Sequence, residues 1–321
     1  MPADELHQQY QTFQQRGAAF DVSSRTRLRV EGRDRLRFVN NLCTAKLVDL
    51  PAGQGAEAFF LDVKGHVLAH GVVYICTDSL WIESAPAAAP DLIAHFNRYL
   101  ISEKVSFHDA TSETTATLVC GLRIAATLDA QLSGNTFPDE SRLAVLESHA
   151  DGQTQLFAKS DLLGPPGVLW IRPRSDHQPT SDVGDPGLLE SLRIEHGCPL
   201  FGCDIDRRNL PQEVGRDDLA ISFNKGCYLG QETVARLDAL GHVNRRLVRL
   251  QFAGDSIPPV GFKIERDGKI IGRVTSAARS ASSGKPIALA YLRSGFESPG
   301  TRLETELGPA EVLPLRPTTA S

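Results

Sequence analysis

From Arg245 onward the chain is written in strands alone. The runs 245–252 (RRLVRLQF), 261–279 (GFKIERDGKIIGRVTSAAR), 286–293 (PIALAYLR), 301–306 (TRLETE) and 309–315 (PAEVLPL) alternate apolar and polar residues, with no helical period among them. Asp267-Gly268 stands between two alternating runs, the pair that a tight hairpin with positive φ requires. A stretch of this kind folds only by closing on itself or packing on a second sheet, so residues 245–321 are expected to form a small all-β barrel or sandwich.

Residues 1–244 read differently. Arg27–Glu31, 56–61, 67–75, 80–83 and 104–108 are strand runs, and 118–120 and 167–171 read as buried strands. Between them, a helix opening at 32–34 carries Leu36, Phe38, Val39 and Leu42, and 90–101 carries Leu92, Ile93, Phe96, Tyr99 and Leu100 on one face. Helices are also expected over 187–196, closed by Gly197, and over 231–240. The expected division is an α+β body, 1–244, with an internal boundary near 110–120 and a polar, Pro-rich loop at 173–186, followed by the β domain.

With 41% hydrophobic and 23% charged residues the composition is that of a globular protein. A net charge of −5 argues against strong direct nucleic-acid binding. No apolar run approaches the ~20 residues of a membrane span, and the opening MPADELHQQY has no leader pattern, so a soluble, cytoplasmic protein without membrane partners is expected. The six cysteines include no C-x-x-C pair and read as reduced thiols.

Several familiar signatures fail on inspection. Ser283-Gly284-Lys285 lacks the first glycine of a phosphate loop, because position 279 is Arg, and Pro286 follows the lysine. Cys198-x4-Cys203 lacks the third cysteine of an iron–sulfur spacing, since position 206 is Asp. The scattered histidines give no metal spacing, and no metal site is expected. Two segments remain. In 224–236 (NKGCYLGQETVAR), Cys227 lies just ahead of a helix start with Lys225 two residues away, and dipole and ammonium both favour a thiolate. The other reading is that Gly226 and Gly230 serve a tight turn in which Cys227 packs. In 193–202 (RIEHGCPLFG), Glu195 ends a helix, where a carboxylate needs a partner. The donor edge of an amidine-like ring would suit it, but the residues alone favour a solvent-facing Glu paired with Arg193 or Lys225.

Taken in order, R-I-E-x-G-x-P-x-x-G-x-D (193–204), L-P-Q-E (210–213), I-S-F-N (221–224), K-G-C-Y-x-G-Q-E (225–232), I-G-x-V-T-S (271–276) and I-A-L-A-Y (287–291) resemble the YgfZ family of folate-binding proteins, relatives of the glycine-cleavage T-protein, an aminomethyltransferase. The likeness runs from about Asp21 to Leu315. It implies an aminomethyltransferase-like ring-shaped body of two or three modules with a C-terminal β-barrel, binding tetrahydrofolate in a central channel. It implies Glu195 as the pterin anchor, with Arg193 and Tyr228 beside the cofactor, and Cys227 with Lys225 as the reactive pair. The implied partners are iron–sulfur client enzymes or their assembly proteins, including enzymes that thiolate tRNA. One departure bears on chemistry. Where the T-protein carries an acidic pair after G-G-x-L, this chain has Ala69 and His70. A reaction that protonates a folate nitrogen needs a positioned acid, so aminomethyl transfer is expected only if His70 or Asp62 supplies it.

Overall fold

A computed structural model of the chain describes residues 3–124, 127, 136–138, 140–150, 153–174 and 183–317, which leaves part of the expected 173–186 loop outside the described residues. In chain order the strands are β1 (Ala18–Asp21), β2 (Arg25–Glu31), β3 (Gly55–Leu61), β4 (Val67–Ile75), β5 (Ser79–Pro86), β6 (Ser106–Asp109), β7 (Thr114–Cys120), β8 (Val145–Ala150), β9 (Gln153–Ser160) and β10 (Gly167–Pro173). After them come β11 (Arg245–Phe252), β12 (Lys263–Arg266), β13 (Lys269–Arg279), β14 (Pro286–Arg293), β15 (Arg302–Leu303) and β16 (Ala310–Leu313). The helices are α1 (Ala3–Arg16), α2 (Arg35–Leu42), α3 (Ala89–Tyr99), α4 (Pro186–Glu195), α5 (Asp217–Ala220) and α6 (Gln231–Leu240), with a single 3₁₀ turn at Pro211–Val214.

Three antiparallel sheets result, ordered β3-β4-β5-β2-β6, β1-β7-β10-β9-β8 and β12-β13-β14-β11-β16-β15. The chain is therefore α+β with a C-terminal antiparallel β-barrel, as its residue pattern requires. Asp267 (φ 52°) and Gly268 (φ 71°) make the turn between β12 and β13. The helix α1 was not expected. Its Leu6, Tyr10 and Phe13 follow a helical spacing and pack on the core under the second sheet.

Period-two alternation builds the layers. Val73, Ile75, Leu80 and Ile82 turn one face of the first sheet to α2 and α3, where they meet Phe38, Val39, Leu92 and Phe96. Val72, Tyr74 and Trp81 turn the other face to the second sheet, against Leu118, Leu156 and Leu169. The barrel repeats the device: Ala288, Ala290 and Leu292 face its interior, while Ile287, Leu289 and Tyr291 face outward. That outward face meets Phe59, Leu61 and Val67 of the first sheet and Ile194, Val214 and Val234 of the connecting segment. Body, connector and barrel thus share one junction core.

Candidate functional site

Glu57 sits in the middle of the apolar run of β3, and alternation points it inward, where it is fully buried. A lone buried carboxylate would be costly, and three partners offset the cost. Arg216, just ahead of α5, pairs with it through two nitrogens, Nη2 at 2.8 Å. His70 of β4 meets it through Nε2 at 2.8 Å, and Arg142 through Nη2 at 2.5 Å. Arg142 also holds both oxygens of Asp161 at 2.7 Å. The Phe59 ring stacks on His70 at 4.7 Å. Burial alone would raise the Glu57 pKa, but Arg216 and His70 outweigh it and hold the carboxyl well below the usual range.

Two spaces flank this cluster. A cavity of about 910 Å³ is lined by Asp161, Cys198, Arg216, Arg246, Leu247 and Leu315 among others. A second, of about 350 Å³, is lined by Glu57, Arg142, Ala45, Ile221 and Ser222 among others. The Glu57–Arg216 and Arg142–Asp161 pairs each have one member in each wall, so the cluster is the partition between the spaces. Sequence reasoning missed Glu57, Arg142, Asp161 and Arg216. The signal for Glu57 was present, an acid at an inward position of GAEAFFL.

Arg193 and Glu195 leave α4 in different directions. Arg193 is buried and fully engaged with Glu190 at 2.6 Å, Asp204 at 2.8 Å, the Cys198 carbonyl at 2.7 Å and Ser276 at 2.8 Å. It ties the connector to β13. Glu195 accepts from Ser280 Oγ at 2.7 Å, Ser282 N at 3.1 Å and Ser191 Oγ at 3.3 Å, all on Oε1. It pairs with neither Arg193 nor Lys225, contrary to the reading of the residues alone. The carboxylate instead holds the turn between β13 and β14, and its neighbour His196 lines the larger cavity.

The segment 222–233 lies along the first module. Ser222 N donates to Thr44 O at 2.9 Å and Leu229 N to Asn41 O at 3.0 Å. Lys225 is buried, and its ammonium donates to the carbonyls of Asn40 (2.6 Å), Cys43 (2.9 Å) and Ala45 (2.6 Å). An ammonium has three N–H donors, so all are used. The charge that was expected to face the Cys227 thiol is directed into the end of α2 instead. Tyr228 is buried with its ring 5.0 Å from Nζ. Gly230 (φ +81°) leaves no room for a Cβ, which would stand 2.7 Å from the Asp62 carbonyl. Cys227 is exposed, as is Cys203, whereas Cys43, Cys76, Cys120 and Cys198 are buried. The structure therefore brings Lys225, Tyr228 and Cys227 together in one loop, and among the described residues no hydrogen bond or ion pair joins that loop to Arg193 or Glu195.

The buried imidazoles make stability depend on pH. Burial lowers the pKa of His70, offset only in part by Glu57, and burial with the Arg98 charge pushes His95 down to about 4. In the unfolded chain both take a proton near pH 6.5, while the folded chain resists, so this stability is complete above pH 6.5 and lost as pH falls below it. Asp217 acts in the opposite sense. Burial raises it to about 6, so stability rises as pH falls through 6. Two histidines outweigh one carboxyl. The urea midpoint is expected to be lower at about pH 5 than at about pH 7, and His95→Gln should shrink the difference.

Two stretches of the chain match known domains. Residues 3–143 match the GCVT N-terminal domain, and residues 245–320 match the glycine cleavage T-protein C-terminal barrel domain. An aminomethyltransferase of Nostoc sp. is 26% identical over 303 residues, covering 90% of this chain and 80% of its own length. One of Rippkaea orientalis is 28% identical over 313 residues, covering 90% and 81%. Among solved structures, the glycine cleavage system aminomethyltransferase T from Bartonella henselae superposes with a TM-score of 0.80 at 19% identity, over 97% of this chain and 88% of that one. That likeness is one of fold. With the T-protein's N-terminal domain before its connector and the T-protein's barrel domain after it, the chain belongs to the glycine cleavage T-protein-like family.

Proposed function

We propose that this chain binds tetrahydrofolate and, in the cytoplasm, supports the assembly, repair or maintenance of iron–sulfur enzymes through Cys227, tRNA-thiolating enzymes among its clients, without glycine-cleavage turnover. The observation that carries the reading is the contrast between two sites. At the position of the T-protein's acids, His70 is buried and locked to Glu57, which is locked to Arg216 and Arg142. In the K-G-C-Y-x-G-Q-E loop, Cys227 is held out to solvent. A proton carrier is sealed, and a thiol is offered. The link to iron–sulfur clients rests on the resemblance of residues 225–232 to the YgfZ signature.

Two separate features support a folate: a cavity whose lining includes His196 but not Glu195, and an oxygen of Glu195 left free among the described residues. The 910 Å³ cavity lies within the ~300–1,000 Å³ typical of small-molecule sites. Glu195 Oε2 accepts no hydrogen bond among the described residues, so one carboxylate oxygen is left for the donor edge of a pterin. Tetrahydrofolate, when bound, carries a one-carbon unit on its nitrogens. The chain's part is to anchor it through Glu195, with Arg193 fixing α4 to the barrel behind that carboxylate. Tyr228 stands with the thiol loop rather than with Glu195, so a contact to the cofactor would come from that side. The competing reading, a working aminomethyltransferase, draws on the names of the Nostoc and Rippkaea relatives and needs His70 to move a proton.

The test is complementation of a strain lacking the endogenous protein. Cys227→Ser is expected to lose support of iron–sulfur enzyme activity, and Cys203→Ser, the other exposed thiol, to retain it. Full complementation by Cys227→Ser would leave the thiol without a role.

A further inference from the structure

The loop that carries Cys227 is stitched to one short stretch of the first module. Three residues of 222–229 reach residues 40–45: Ser222 to Thr44, Leu229 to Asn41, and Lys225 to the carbonyls of Asn40, Cys43 and Ala45. Those three carbonyls lie at and just beyond the end of α2 (Arg35–Leu42), where a helix leaves acceptors unpaired and its dipole favours a cation. Gly230 closes the far end of the loop against the β3–β4 turn, and Thr233 Oγ1 donates to Lys64 O at 2.8 Å. Between these fixed points Cys227 is exposed, and no protein group bonds its sulfur among the described residues.

We infer that Lys225 is a positioning residue, which locks the loop onto the end of α2 and so presents Cys227, rather than a cation that acts on the thiol. The inference rests on the reading of Cys227 as the functional thiol, but its consequences can be measured without any folate or iron–sulfur assay. The physical reason is an exclusive use of donors. An ammonium whose three N–H groups point at three carbonyls has none left for a sulfur. Removing it takes the ammonium donor from three buried carbonyls at once, leaving Ala45 O only the Cys43 thiol at 3.5 Å, and the local structure that they hold should open. Lys225 also lies 5.0 Å from the ring of Tyr228, the residue after the cysteine, so the same side chain fixes the backbone on both sides of Cys227.

The test is carried out on the full chain by following alkylation of Cys227 with iodoacetamide across pH by mass spectrometry, together with amide hydrogen exchange. In Lys225→Met the midpoint of the Cys227 profile is expected to stay within about 0.2 pH unit of wild type, while amides of 222–230 exchange at least about tenfold faster. Lys225→Arg, which keeps charge and donors, is expected to restore the slow exchange. A midpoint raised by about one unit in Lys225→Met, with exchange unchanged, would show the lysine acting through its charge and overturn the inference. Should Lys225→Met not fold, Lys225→Gln, which keeps a donor and drops the charge, takes its place: an unchanged Cys227 midpoint supports the inference, and a midpoint raised by about one unit contradicts it.

Discussion

Glu57→Gln is expected to lower the stability of the protein by about 3–5 kcal/mol, the range for breaking a buried ion pair by removing one partner. The amide keeps the shape of the side chain and removes its charge. Arg216, itself buried, would be left without a counter-ion, since Glu57 is its ion-pair partner among the described residues. Arg142 makes a useful control. Its side chain is 31% exposed and keeps both Asp161 contacts whatever happens at residue 57, so its loss is borne partly by solvent. Arg142→Gln should cost well under half as much as Glu57→Gln. Urea denaturation of the two variants checks both magnitude and order, and equal losses would mean that the cluster does not act as a partition built around Glu57.

The second large effect concerns turnover. With aminomethylated lipoyl carrier protein and tetrahydrofolate supplied, formation of methylenetetrahydrofolate and ammonia is expected to run about 10²–10⁴-fold below that of a T-protein, the usual loss on removing a general acid–base. The geometry closes His70 to that role and ties Asp62 into a turn through one of its two oxygens. Asp62 Oδ1 accepts from Lys64 N at 2.8 Å and His66 N at 2.9 Å, so this carboxylate holds the turn between β3 and β4. His70 is buried, stacked on Phe59 and bonded to Glu57, and burial keeps it neutral at physiological pH. A neutral imidazole sealed in a charge-balanced cluster lacks both the proton and the access. Turnover comparable to a T-protein, abolished by His70→Ala, would establish the transferase reading instead.

The sequence made the architecture readable for a plain reason. Period-two alternation at 287–292 and 67–75 is imposed by burial on one or both faces, and burial leaves its mark residue by residue. Helix ends were legible where a local group closes them, as at Gly197 (φ 64°), whose N–H donates to Ile194 O at 3.0 Å at the end of α4. The partition could not be read in the same way. Its members lie at 57, 70, 142, 161 and 216, and only the folded sheets bring them together. Lys225 shows a different limit. Its proximity to Cys227 in the chain was plain, but the direction of a long side chain depends on which acceptors the fold offers, and the end of α2 offers three.

In the proposed reading the chain keeps the folate-binding half of the T-protein's work while its acid position is sealed. Calorimetric titration of tetrahydrofolate into the full chain and into Glu195→Gln tests this most directly. One-to-one binding by the wild type is expected, with a loss of about 1.5–3 kcal/mol, on the order of 10- to 100-fold, in the variant, because an acceptor becomes a donor facing the pterin's own N–H groups. Absence of binding by the wild type, or equal affinity in the two proteins, would contradict it.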